Sequence, residues 1–180
     1  MESSIETVRF ILREITHADV DGFFELDVDP EVHRYVGNKP VTSKQQIVDV
    51  INLLRQQYKD HGIGRWAIID KKTNEFIGWS GLKFMTEMTN NHRYYYDLGY
   101  RLRRKYWGLG IATETSLRFL EYAFEKLNAN EVYAMANIDN IASNKVLKKV
   151  GLTFIETFDV EGVLHNWYKI DKAEFNLPSR

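Results

Sequence analysis

Two glycines, Gly108 and Gly110, stand where an alternating strand pattern gives way to a helical one, and this junction constrains the chain more than any other segment. Upstream, Tyr94 to Leu102 alternates Tyr96, Leu98, Tyr100 and Leu102 with Tyr95, Asp97, Gly99 and Arg101, which predicts a strand with one apolar face. Downstream, Leu117, Leu120, Phe124 and Leu127 recur at helical spacing with Ala123 beside them, while Glu114, Arg118, Glu121 and Lys126 take the wet side. A second strand over 131–137 follows a break at 128–130, so the glycines occupy the first corner of a strand, helix, strand unit. Glycines at a helix start let the backbone turn sharply and leave the first amide N–H groups unpaired and pointing outward, the geometry that holds a phosphate. Arg101, Arg103, Arg104 and Lys105 add positive charge at the same corner, which favours a pyrophosphate or nucleotide-like ligand over a carboxylate. A dinucleotide-binding turn needs a third glycine where Thr113 stands and an acidic residue where the second strand ends in Ala136-Asn137. A P-loop is excluded because the chain has no Gly-Lys-Ser/Thr.

The remaining pattern extends this unit on both sides. A strand is read near Val8 to Arg13, then a helix from about His17 capped by Thr16 with Asp19 three residues on, a turn around Pro30, and a longer helix from Ser43 whose stripe is Ile47, Ile51, Leu54 and Tyr58. Gly62 or Gly64 ends that helix. Strands over 66–70 and 76–82 are joined by a Lys-Lys-Thr-Asn turn, and a hairpin about Glu161-Gly162 closes the chain. The order is α/β with a mixed sheet. At 180 residues and 44% hydrophobic content, with no linker-like composition shift, the expectation is a single domain spanning 1–180. A formal charge of −1 argues against a general nucleic-acid binder, and no cysteine is present for disulfides or thiol catalysis. The start of the chain lacks a signal-peptide pattern and no window is apolar enough to span a membrane, so a cytoplasmic protein is expected, as monomer or homodimer. The five histidines show no ligand spacing, and no metal is expected.

Three phrases carry a family resemblance: Asp97-Leu-Gly99-Tyr100; Tyr106-Trp107-Gly108-Leu109-Gly110-Ile111-Ala112-Thr113-Glu114; and Asn140-Ile-Ala-Ser143 running on to Lys149-Val-Gly151-Leu152. With Thr7 to Arg13, Asp29-Pro30-Glu31-Val32, Trp66-Ala-Ile68 and Ile77-Gly78 in the same order, the chain resembles the GNAT N-acetyltransferase superfamily, and within it the ribosomal-protein N-terminal acetyltransferases. The resemblance implies a mixed, mostly antiparallel central sheet flanked by helices, a bulge in the strand that carries Asp97, and acetyl-CoA as co-substrate. The implied cofactor-binding stretch is Leu102, Arg103, Arg104, Lys105, Trp107, Gly108, Leu109, Gly110, Ile111, Ala112 and Thr113. It further implies that Asn140 contacts the pantetheine arm and that Ser143 lies near the thioester sulfur. Trp107 replaces the superfamily's Gln/Arg, so the loop relies on backbone amides. Leu147 stands where many members carry a tyrosine that protonates the leaving thiolate, and Leu152 and Thr115 read as core substitutions.

Acetyl transfer to an amine needs a neutral amine, an oxyanion donor and help for the departing thiolate. Asp97 is the first candidate base, because Gly99 on the same strand face leaves room for a ligand; the competing reading is a strand carboxylate paired with Arg101 or a neighbour. Glu161 and Glu156 are the next candidates. For Asn140 the competing reading is a helix cap, with Ser143 in the first turn. Lys145, Lys148 and Lys149 face either the cofactor phosphates or solvent, and Asp27, Asp29 and Glu31 either a cationic substrate or a turn. The expected activity is N-acetylation of a primary amine, a protein N-terminus or small amine, by direct attack. Its rivals are a non-catalytic acyl-CoA-binding sensor or interaction module of the same fold, and a nucleic-acid-binding role for Arg101 to Lys105.

Overall fold

A computed structural model describes residues 4–175. The strands are β1 (Ser4–Glu6), β2 (Phe10–Glu14), β3 (Arg65–Asp70), β4 (Phe76–Met85), β5 (Tyr95–Leu102), β6 (Glu131–Asn137), β7 (Thr153–Val160) and β8 (Val163–Asp171). The helices are α1 (Val20–Asp27), α2 (Pro30–His33), α3 (Lys44–His61), α4 (Ile111–Glu125) and α5 (Ile141–Lys149). All eight strands join one sheet in the order β1-β2-β3-β4-β5-β6-β8-β7. Every neighbouring pair is antiparallel except β5 and β6, which are parallel because α4 carries the chain back across the sheet between them.

The local signals act where the sequence places them. Thr16 and Asp19 form a capping box ahead of α1, Ser43 and Gln46 form another ahead of α3, and Gly62 closes α3 in the left-handed conformation. Glu161 and Gly162 both have positive φ, 51° and 85°, the signature of the two-residue turn that joins β7 to β8. Two elements go beyond the sequence reading. β1 is a three-residue strand held by one buried side chain, Ile5, and by pairing with β2; so short a run has no periodicity to detect. The turn at Pro30 is a short helix, α2, with Pro30 in its first turn and Asp29 capping it by accepting from Glu31 N–H at 3.0 Å.

Helices cover both sheet faces. Trp66, Ser80 and Tyr100 lie opposite one another on β3, β4 and β5 and so share a face, and Trp66 packs edge-on against Phe119 of α4 with ring centroids 5.8 Å apart. On the other face Phe76 stacks on Phe23 of α1 at 5.8 Å, and α1 packs on α3. α4 is more buried than its leucine stripe implies: Thr115, Ser116, Phe119 and Tyr122 are buried beside Leu120, Ala123 and Phe124. The Thr115 hydroxyl is satisfied by donating to the Ile111 carbonyl at 3.0 Å.

Candidate active site

The glycine corner is built as its sequence dictates. Gly108 and Gly110 have φ of 76° and 74°, a conformation costly for any residue with a Cβ, and Gly110 is the N-cap of α4. The Glu114 N–H donates to the Gly110 carbonyl at 3.0 Å, so the amides of Ile111, Ala112 and Thr113 precede the helical ladder. A Cβ on Gly108 would meet nothing within 4 Å, which leaves the outer surface of the loop open to a ligand. Leu109 is exposed, Ile111 is buried and anchors the helix start, and the indole N–H of exposed Trp107 donates to the Leu102 carbonyl at 2.9 Å. Trp107 therefore pins the loop to the end of β5 while the amides face outward. The N-terminal end of the α4 dipole adds partial positive charge at the same point.

The basic residues beside the loop are tied to acids brought in by the fold. Arg101 donates to Asp27 at 2.9 Å, Arg103 pairs with Glu25 and donates to the Phe76 carbonyl, Arg104 pairs with Asp29 at 3.0 Å, and Lys105 pairs with Glu75 at 3.0 Å. The acidic group Asp27, Asp29 and Glu31 thus supplies two of the counter-ions that the basic group requires. Lys145, Lys148 and Lys149 are exposed along α5. Arg9, which the sequence reading passed over, approaches Gly110: its Nη2 would lie 3.8 Å from a Cβ there, and its Nε pairs with Glu114 at 2.6 Å.

Asp97 sits where the sheet parts. The β4–β5 ladder runs without interruption from Gly78 opposite Leu102 to Met85 opposite Tyr95, so β5 does not have the bulge the resemblance implied and Asp97, Gly99 and Arg101 share a face. Irregularities fall instead between β3 and β4 at Ile68/Ile69 and between β7 and β8 at Phe154/Glu156. The β5–β6 ladder has a single register pair, Asp97 opposite Tyr133, and beyond it the two strands run without pairing toward the glycine loop. A wedge opens there, with β5 on one side and β6 on the other.

The room expected over Gly99 is filled by the chain itself. A Cβ on Gly99 would lie 2.7 Å from Nη2 of Arg65, whose guanidinium pairs with the Asp97 carboxylate and donates to the carbonyls of Gly81 and Asp97. Burial raises the Asp97 carboxyl above its ordinary value, against the opposing pull of Arg65. Arg65 and Arg101 also lie over Trp79, 5.5 and 5.2 Å from its centroid. A hollow of about 160 Å³ lies above this face, walled by Phe23 and Asp27 of α1, Val50 and Leu54 of α3, Trp79 and the two arginines.

Across the sheet, α5 brings its polar residues to the other side of the wedge. Asn140 caps α5 by accepting from Ser143 N–H at 3.1 Å, so the competing capping reading is realised. The Tyr100 hydroxyl lies 2.9 Å from Ser143 Oγ and 3.2 Å from the Ser143 carbonyl oxygen. Asn144 is the hub that holds this helix start. Its Nδ2 donates to the carbonyls of Asn137 and Asn140, and its Oδ1 accepts from Asn166 Nδ2 and the Tyr168 hydroxyl, at 2.7 to 2.9 Å. Leu147 and Leu152 are buried in the core. Of the other carboxylates, Glu161 is exposed at the β7–β8 turn and Glu156 accepts from Asn90 on the exposed edge strand.

Ser143, held beside Tyr100, and the glycine loop after β5 thus border the wedge, while the Asp97 carboxylate lies on the opposite sheet face, beside Arg65. Arg65, Tyr100 and Asn144 were not singled out from sequence. Tyr100 carried a signal in the Gly99-Tyr100 phrase; Arg65 and Asn144 are recognisable only by their partners. Among the described residues no helix is long and apolar enough to cross a membrane.

Residues 9–153 match the acetyltransferase (GNAT) domain family. The chain is 31% identical to the uncharacterized N-acetyltransferase p20 of Bacillus licheniformis, with 98% of this chain and 97% of the relative covered. It is also 31% identical to FsC-acetyl coenzyme A-N(2)-transacetylase of Aspergillus fumigatus, covering 87% of this chain and 68% of that protein. In fold it is similar to the ribosomal-protein-S5-alanine acetyltransferase of Vibrio fischeri, with a TM-score of 0.76 at 17% identity over 98% of this chain and 100% of that one. The sheet with its single parallel step, the glycine-capped helix at the wedge and the domain match together place this chain in the GNAT family of acetyltransferases.

Proposed function

We propose that the chain is an N-acetyltransferase that moves the acetyl group of acetyl-CoA to a primary amine by direct attack, with no covalent enzyme intermediate. The observation that carries the reading is the position of the α4 N-terminus, with its two left-handed glycines, at the open end of the wedge between β5 and β6. Amides from Gly108 to Thr113 hold the pyrophosphate, with Leu102, Trp107 and Leu109 framing the loop. Arg103, Arg104 and Lys105 fix that loop through their acidic partners. The Asn140 side chain, its oxygen engaged in capping, offers Nδ2 to the pantetheine arm. Acetyl-CoA supplies an activated thioester, and no metal is needed.

Asp97 receives the acceptor from the opposite face, beside the hollow over Trp79. Its raised carboxyl suits it to take a proton from an ammonium, and Arg65 keeps it oriented. Ser143 donates a hydrogen bond to the departing sulfur. A protein N-terminus is the first acceptor to consider, since the similar Vibrio fischeri protein is named for acetylating a ribosomal-protein alanine. A small amine stands beside it, since the Aspergillus fumigatus relative is named for transfer to an N(2) position. Thiol release from acetyl-CoA, measured against a panel of amines and N-terminal peptides, tests the reading. Amine-dependent release with an acetamide product is expected; tight acetyl-CoA binding without turnover on any amine would favour the sensor.

A further inference from the structure

The contact between Tyr100 and Ser143 spans the wedge from β5 to α5, and neither its strand nor its helix needs it for backbone pairing. A serine hydroxyl has one hydrogen to give and two lone pairs to receive, and it rotates to suit its neighbours. In the first turn of a helix it ordinarily turns back to a carbonyl three or four residues earlier. Here the Asn140 carbonyl already accepts from the backbone N–H and the Nδ2 of Asn144, at 3.0 and 2.8 Å. The Tyr100 phenol has one hydrogen and two acceptors beside it, the Ser143 carbonyl at 3.2 Å and the nearer Ser143 Oγ at 2.9 Å. We propose that Tyr100 is a positioning residue for acetyl transfer: its phenol donates to Ser143 Oγ and so turns the serine's own O–H toward the sulfur of the departing thiolate.

Burial pushes the Tyr100 phenol well above the ordinary tyrosine range, with the hydrogen bond to Ser143 opposing it, so Tyr100 keeps its proton and remains a donor. No proton moves along the pair. The amine nitrogen bonds to the acetyl carbon, and the electron pair of the C–S bond goes to sulfur. Asp97 takes the proton that frees the amine from its ammonium form, the second amine proton leaves to water after the attack, and the thiolate, held by Ser143, takes its proton from water. A thiol titrates near ~8.5, well below either hydroxyl, so a hydrogen bond is all that the leaving group requires. Leu147 is buried and has no hydroxyl, so it offers no hydrogen-bond donor from α5.

This inference rests on the acetyl-CoA reading, and the experiment separates the two. With product CoA bound, the ionisation of its thiol is followed by thiolate absorbance in wild type, Tyr100→Phe, Ser143→Ala and the double variant. The expected result is a thiol that ionises about 10- to 100-fold less readily in each single variant, with no further loss in the double, the size of a lost hydrogen bond to a charged group. Turnover should fall by a similar factor with little change in KM for acetyl-CoA, and Ser143→Thr should restore most of it. A fluorinated tyrosine at position 100, a stronger donor of nearly the same shape, should shift the constant the opposite way even if Tyr100→Phe does not fold. CoA that binds but whose thiol is indifferent to both changes at position 100 overturns the inference alone. Failure of CoA to bind wild type overturns the functional reading and the inference with it.

Discussion

At the scale of single residues, the site depends on groups whose chemistry is set by one neighbour. Asp97 shows this most clearly, because its carboxylate is buried against a guanidinium that also spans the gap left by Gly99. Replacing Asp97 by Asn keeps the shape and one acceptor but removes both the negative charge and the proton acceptor. Turnover should fall about 10²- to 10⁴-fold while acetyl-CoA affinity holds. Since burial raises the Asp97 carboxyl, the acidic limb of the wild-type rate should lie above the ordinary aspartate value of about 3.9. The Asn variant should lack that limb. A pH–rate profile of both proteins with one acceptor decides it, and the same limb in both would move the base elsewhere, with Glu161 the next to test. The variant also strands a buried guanidinium, so its melting temperature belongs beside the kinetics.

At the scale of elements, the start of α4 separates two effects that a bulky substitution would mix. A Cβ on Gly110 would meet Arg9 Nη2 at 3.8 Å, an ordinary van der Waals contact, but the glycine's φ of 74° penalises side chains. Asparagine tolerates this conformation better than other residues, so Gly110→Asn should fold with a melting temperature within a few degrees of wild type. Its side chain then stands over the outward amides, and acetyl-CoA should bind at least tenfold more weakly by calorimetry. Unchanged affinity in the folded variant would remove the loop from the site. Gly110→Val adds backbone strain, of order 1–3 kcal/mol, to the same obstruction and is the poorer test.

At the scale of the whole molecule, contacts between distant segments fix where these elements stand. Glu114, in the first turn of α4, accepts from the backbone N–H and Nε of Arg9 at 3.1 and 2.6 Å, tying the glycine corner to the start of β2. Burial pushes the Glu114 carboxyl up, but its hydrogen bonds from Thr7 and Arg9 outweigh burial and hold it below the usual glutamate value. A depressed folded value means that this tie stabilises the fold above the unfolded glutamate value, about 4.3, and is lost as pH falls through the folded one. Glu114→Gln should therefore unfold at lower urea than wild type at neutral pH, and the gap should close on acidification below about pH 4. A gap independent of pH would assign the loss to packing. The same long-range pairing disposes of the basic cluster as a free surface: Arg101, Arg103, Arg104 and Lys105 each face a carboxylate from another segment.

The sequence by itself determined whatever depends on neighbours along the chain. The alternation of Tyr95 to Leu102 made β5, Thr16 and Ser43 started helices, Glu161-Gly162 made the last turn, and Gly108 and Gly110 made an outward-facing helix start, because dihedral preference and side-chain period are local properties. The wedge, by contrast, exists because β5 and β6 meet at a single register pair, which no residue of either strand announces. The filling of the space over Gly99 by Arg65, the neutralisation of the arginines by α1 and α2, and the meeting of Tyr100 with Ser143 were decided only by the tertiary structure. A charge or a hydroxyl looks the same in sequence whether it is free or engaged, and its partner is chosen by which elements the packing brings together.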